Sequence, residues 1–278
     1  MSDKKNLDIV IRYDGNTADS GQLNLYQAAE SLDGIARVVN VIVHAFANDG
    51  QIRERLTAPE GAETYLSAAK KGCFEEVVTV VFDADTVAKI KPSVIVNNFW
   101  DFLTASVSAA VGHPYDPSTP MVRKIVGKNE TYFEEVAEEL ENALQKLQRP
   151  IKSKGAKTIT FARPKSDDAV TLDKKTLAYV SVMAQEPELT YWYGNVTKYN
   201  SLSGYGRAYL EEIGETIPFK IDRFKQNISA QRAASASMDD QINELGGRRR
   251  IGAYAVRNSL GNLKRLTIVE LILEDKRT

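Results

Sequence analysis

Residues 191–221, YWYGNVTKYNSLSGYGRAYLEEIGETIPFKI, carry the reading that decides the fold. Aromatic and β-branched residues gather into three short runs, separated by polar, glycine-bearing segments at 200–204 and 211–214. Turn formers in such positions break an extended chain, so the stretch predicts three strands in a meander. Further strands flank it. Residues 157–164, KTITFARP, read as a strand that opens the second half of the chain, and RRRIGAYAVRN with NLKRLTIVELIL reads as a closing hairpin about residues 259–261. Residues 225–245 are polar and alanine-rich, with Ile228, Ala233, Ala236, Ile242 and Leu245 in loose helical period, which predicts a helical insertion. Five or six strands with one insertion predict a small closed antiparallel β-barrel, because closure removes exposed strand edges.

The first half has a different texture. Residues 7–13, LDIVIRY, predict a partly buried strand ended by the Asp14-Gly15 turn. Asn24 and Gln27 form a capping-box pattern, followed by Leu25, Ala28, Leu32, Ile35, Val39, Ile42 and Phe46 at three- and four-residue spacing, so a long amphipathic helix runs to Asn48-Asp49-Gly50. Residues 63–70 and 73–82 predict two strands joined at Lys71-Gly72. Residues 93–111, SVIVNNFWDFLTASVSAAV, carry a helical apolar stripe of membrane-spanning length. Asn97, Asn98 and Asp101 oppose a span, since one aspartate at bilayer depth costs about 3 kcal/mol. A core or self-association helix fits better, with Phe99, Trp100 and Phe102 as the candidate oligomer interface because aromatic residues are enriched at interfaces.

Residues 113–120, HPYDPSTP, hold three prolines and predict a loop. Thr131 and Glu134 then form a second capping-box pattern ahead of a stripe from Tyr132 to Leu147, whose many glutamates read as a solvated face. The proline, glycine and cations of RPIKSKGAK at 149–157 predict a domain boundary. The expected architecture is α+β: a mixed α/β domain with long amphipathic helices over residues 1–150, and the barrel with its helical insertion over residues 151–278. The formal net charge of −1 divides into −7 for residues 1–150 and +6 for residues 151–278, so the second half is expected to meet an acidic partner or the first half itself.

One cysteine, Cys73, permits no internal disulfide, and the N-terminal residues show no secretory signal, so a cytoplasmic location is expected. Only two histidines occur, His44 and His113, and no serine sits in a nucleophile elbow, so no hydrolytic triad is predicted. Two isolated histidines and one cysteine give no zinc spacing, and no phosphate loop is present, so neither metal nor cofactor is expected. The densest cationic cluster is Arg248, Arg249 and Arg250; entering a strand, these alternate between faces, so two can share one surface and contact phosphates, or protect a strand edge.

Three resemblances bear on function. Arg37 and His44, with six residues between them on the first helix, resemble the Arg and His signature of HEPN-type ribonucleases, which implies an RNA-cleaving alternative. Residues 194–206, GNVTKYNSLSGYG, resemble the first hairpin of cold-shock domains; the resemblance implies stacking aromatics at Tyr199 and Tyr205, with Lys198 where an aromatic usually sits and Arg207 in the altered ending. Gly72-Cys73-Phe74-Glu75 and Tyr13-Asp14-Gly15 resemble an uncharacterised bacterial domain-of-unknown-function family that joins a mixed α/β domain to a small barrel, and imply a mobile-element or antiphage-defence setting. Together these readings predict a non-enzymatic, self-associating protein without stable membrane insertion. Its barrel recognises a protein or, weakly, a nucleic acid through Tyr199, Tyr205, Arg207 and Arg248 to Arg250. The alternatives are the ribonuclease and a membrane-acting effector using residues 93–111.

Overall fold

The computed structural model describes residues 3–53, 56–67, 74–165, 168–182 and 184–273. The fold is α+β, and packing divides the chain into two units: Met1–Gly127 with Val136–Val180, and Lys128–Glu135 with Ser181–Thr278. In chain order the first elements are β1 (Lys5–Asp14), a 3-10 turn (Asn16–Ser20), α1 (Leu25–Ala47), β2 (Ala62–Ser67), β3 (Phe74–Phe82) and α2 (Ala84–Ile90). There follow α3 (Ile95–Ala110), α4 (Pro120–Lys128), α5 (Tyr132–Leu147), α6 (Arg149–Lys152), β4 (Thr158–Ala162), β5 (Asp168–Leu172) and α7 (Lys174–Val180). Of the GCFE motif, Gly72 and Cys73 lie outside the described residues, as does the Lys71-Gly72 turn.

The five strands of the first unit form one antiparallel sheet in the order β2-β3-β1-β4-β5. Alternation places Leu7, Ile9, Ile11 and Tyr13 of β1 on one buried face. Helix α1 starts where Asn24 Oδ1 accepts from the backbone N–H of Tyr26 and Gln27. The KTITFARP strand, expected to open the barrel, instead pairs with β1 as β4. Its apolar alternation suits either partner, and only the buried first sheet offers β1's free edge.

Helix α3 is buried nearly all round, so its aromatics are core and not the surface expected for self-association. Phe99 and Phe102 are 0% exposed and Trp100 only 6%. The Phe99 ring meets Phe46 edge-on at 5.3 Å and Phe82 at 5.6 Å, tying α3 to α1 and the sheet. Asp101, the residue that spoke against a membrane span, is buried beside them and holds the proline-rich loop. Its carboxylate accepts from Tyr115 Oη at 2.8 Å, from the backbone N–H of Ser118 and Thr119 at 2.9 and 2.8 Å, and from the Ser118 and Thr119 hydroxyls. Among the described residues, no helix is long and apolar enough to cross a membrane.

The second unit contains β6 (Thr190–Tyr199), β7 (Tyr205–Leu210), β8 (Glu215–Ile221), α8 (Ile228–Ile242), β9 (Arg249–Arg257) and β10 (Leu263–Leu273). They close a barrel in the order β10-β8-β7-β6-β9. The expected small barrel is there, antiparallel at every neighbouring pair but one: β8 and β10 pair in parallel. Five strands in a ring cannot alternate direction all the way round, so one neighbouring pair must be parallel. Two glycines permit the tight closure. A Cβ at Gly194 would strike the Tyr209 carbonyl of β7, and one at Gly206 would strike the Phe219 ring in the core. Helix α8 covers the core with its small residues Ala230 and Ala234. Its Ser237 hydroxyl accepts from the Val196 N–H and donates to the Gly247 carbonyl.

Candidate nucleic-acid interface

A one-residue irregularity decides what the barrel presents. The β6/β7 register runs regularly to Val196 opposite Ala208, then shifts so that Lys198 lies opposite Arg207 and Tyr199 opposite Gly206. An extra residue in a strand reverses which side chains face in and out beyond it. Tyr199, outward by simple alternation from Tyr191, is therefore turned inward. Its ring stacks on buried Phe219 at 6.4 Å, and among the described residues its buried hydroxyl has no hydrogen-bond partner. Lys198 takes the outward place instead. The expected stacking role of Tyr199 is thus replaced by core packing.

Strand β7 buries Gly206, Ala208 and Leu210, and turns Tyr205, Arg207 and Tyr209 outward; β8 buries Ile217, Phe219 and Ile221, and turns Thr216, Pro218 and Lys220 outward. Cross-strand pairing puts Tyr205 opposite Lys220 and Arg207 opposite Pro218. One outer face thus gathers Lys198, Arg207 and Lys220 with Tyr205 and Tyr209. At its margin lies the 200–204 loop, with Asn200 and Ser203. Lys220, Asn200 and Ser203 escaped the sequence reading; the strict alternation of ETIPFKI was the one signal that marked Lys220 as outward.

The second unit's short segment Lys128–Glu135 lies on this face. Arg207 Nη1 donates to Glu134 Oε1 at 2.8 Å, while its Nη2 donates to the Thr216 carbonyl at 3.1 Å. Ser203 Oγ donates to Glu135 Oε1 at 2.7 Å, and Asn200 Nδ2 donates to Asn129 Oδ1 at 3.0 Å. The capping box expected of Thr131 and Glu134 does not form: the Thr131 N–H goes to Asn129 Oδ1 and Glu134 goes to Arg207. A guanidinium attracts a carboxylate more strongly than a backbone amide does.

The three adjacent arginines separate. Arg249 is 3% exposed and donates to Asp240 Oδ2 of α8 at 2.7 Å, a clamp between helix and barrel. Arg248 and Arg250 share one surface, over Tyr193 at 4.6 Å and over Tyr191 at 4.7 Å, and Arg248 also holds both carboxylate oxygens of Glu211. The basic surplus expected of the barrel also moves. Counted by packing unit, Lys128–Glu135 with Ser181–Thr278 carries 15 Lys+Arg and 15 Asp+Glu, a net of zero, because residues 151–180, net +4, belong to the first unit and Lys128–Glu135 brings a net of −2.

His44 and Arg37 do not form an accessible pair. His44 is fully buried, its Nδ1 accepts from the Glu60 N–H at 3.1 Å, and burial, assisted by the Arg53 charge, holds its pKa below 6.5. Arg37 is exposed and bonded to Asp33.

A closed five-stranded barrel with one helix between its third and fourth strands has the OB-type architecture, and its second and third strands carry a cationic, aromatic face. The chain belongs to the family described as Domain of unknown function DUF7946, whose match covers residues 9–181 and so ends where the barrel unit begins. No curated protein and no solved structure matches the chain.

Proposed function

We propose that the chain is a non-enzymatic binding protein whose barrel takes single-stranded nucleic acid with little sequence preference. The observation that carries this reading is the outer face of β6, β7 and β8, where Lys198, Arg207 and Lys220 lie with Tyr205 and Tyr209, the last four on the second and third strands that OB-type barrels use for ligand. Cations contact the phosphodiester, and tyrosines offer π-faces that stack on any base. A unit of zero net charge has no long-range attraction for a polyanion, so binding is weak and strongly salt-dependent. The ribonuclease alternative has the weaker support, because His44 is inaccessible.

The test is fluorescence anisotropy of labelled single-stranded DNA and RNA with the full chain across a salt series, with strand length checked afterwards. Binding that falls as salt rises, with intact strands, is expected. Three neutralised phosphates correspond to a slope of about −2 in log affinity against log salt. Absence of binding at low salt to both strands sinks the reading. Shortened strands with wild type, but not with His44→Ala, replace it by the nuclease.

A further inference from the structure

Lys198 and Arg207 are direct cross-strand neighbours on one face of β6 and β7. Like charges in that relation destabilise a sheet unless something between them is negative. Here Glu134 supplies the negative charge, 2.8 Å from the guanidinium. Beside it Ser203 and Asn200 present donors to the same short segment, and Glu135 Oε1 collects the Ser203 hydroxyl at 2.7 Å and the Asn129 amide at 3.1 Å. The rim of the barrel thus already performs anion recognition, with carboxylates as the anions.

We propose that Asn200, Ser203 and Arg207, with Lys198 alongside, form an anion subsite that the chain fills itself with Glu134 and Glu135, and that a phosphodiester of the bound strand enters by exchanging with these carboxylates. The chemistry is shared: carboxylate and phosphate both offer oxygens at the spacing a guanidinium fork and a hydroxyl accept. The exchange needs only side-chain movement. Tyr132, next to the acidic pair, is buried and keeps the segment seated, whereas the Glu134 and Arg207 side chains are 15% and 32% exposed, open enough to part. The same segment lowers the unit's net charge by 2, since Lys128–Glu135 contributes one Lys against three Glu. The proposal rests on the nucleic-acid reading of the face and specifies its regulation: the free protein is self-neutralised.

The experiment compares the full-length wild type with E134Q/E135Q, each with and without R207A, by anisotropy of a labelled oligothymidylate at low salt. Circular dichroism and a thermal melt verify the fold of each variant. Glutamine keeps the size and hydrogen-bonding oxygen but removes the competing charge. The double glutamine variant is expected to bind about three- to fivefold tighter, the scale of one partly exposed ion pair, and to lose that gain when Arg207 is alanine. Wild-type binding that E134Q/E135Q leaves unchanged, or a gain that persists without Arg207, overturns the exchange while leaving the binding reading intact. If neither wild type nor the glutamine variant binds, the binding reading fails and the exchange fails with it.

Discussion

Two regions use carboxylates to hold hydroxyl-bearing loops, and they use them differently. Asp101 in the first unit is buried, accepts from two backbone amides and three hydroxyls, and fixes the connection into α4. Glu134 and Glu135 in the second unit meet an arginine, a serine and an asparagine-bearing loop on the outside of a barrel. Removing Asp101 takes away the one acceptor that five donors of the 115–119 loop share, while removing Glu134 exposes a guanidinium to solvent. The first carboxylate belongs to the fold; the second is exchangeable.

The largest effect should come from Asp101→Ala, which removes the buried charged acceptor of five part-buried hydrogen bonds and should cost about 3 kcal/mol. Urea unfolding measures it, and an unchanged midpoint would make Asp101 no more structural than Glu134. The same group carries an acid signature. Burial pushes its carboxyl up, but the bonds from Thr119, Ser118 and Tyr115 outweigh that and hold it below 3.8. Its contribution is therefore complete above pH 3.8 and is lost as pH falls through the lower folded value. Asp101→Asn should flatten that limb of a melting series.

Next in size is Arg249→Ala, which leaves Asp240 on α8 without its cation. Breaking a buried pair costs about 3–5 kcal/mol, and the part-exposed Asp240 reduces this to roughly 2. The barrel's signature in a thermal melt should shift accordingly; a variant as stable as wild type would remove the clamp from the account. A smaller, pH-specific loss is expected from His44. With its folded pKa below 6.5, the unfolded chain takes up a proton that the folded chain refuses, so stability present above 6.5 declines as pH drops toward the folded value. Melts between pH 7.5 and 5.5 should show a slope that His44→Gln lacks. The smallest effect belongs to Glu134→Gln, under about 1 kcal/mol of stability, as for other partly exposed pairs. A larger loss would place it with Asp101 and break the contrast.

The fold was more legible than the site because elements announce themselves locally. The period of Leu25–Ala47, the alternation in β9 and β10 and the alanine-rich stretch of α8 are properties of neighbouring residues. Partner choice is not local. KTITFARP has the pattern of a strand whichever sheet it joins, and pairing with β1 moved it, with its basic neighbours, out of the barrel unit. The aromatic cluster of α3 reads equally as interface or core until Phe46 and Phe82 are seen to enclose it.

At the site the same division is sharper. The sequence by itself determined that residues 191–221 form strands, that Arg207 and Tyr205 lie on one of them, and that acids cluster near residue 134, because these follow from residue type and short-range spacing. Only the tertiary structure decided that a bulge after Val196 turns Tyr199 inward and Lys198 outward, that Arg249 is buried while Arg248 and Arg250 stack on tyrosines, and that Glu134 reaches Arg207 across 73 residues. A single inserted residue reverses every side chain beyond it, and an ion pair is set by distance in space; neither quantity is written in the local order of the chain.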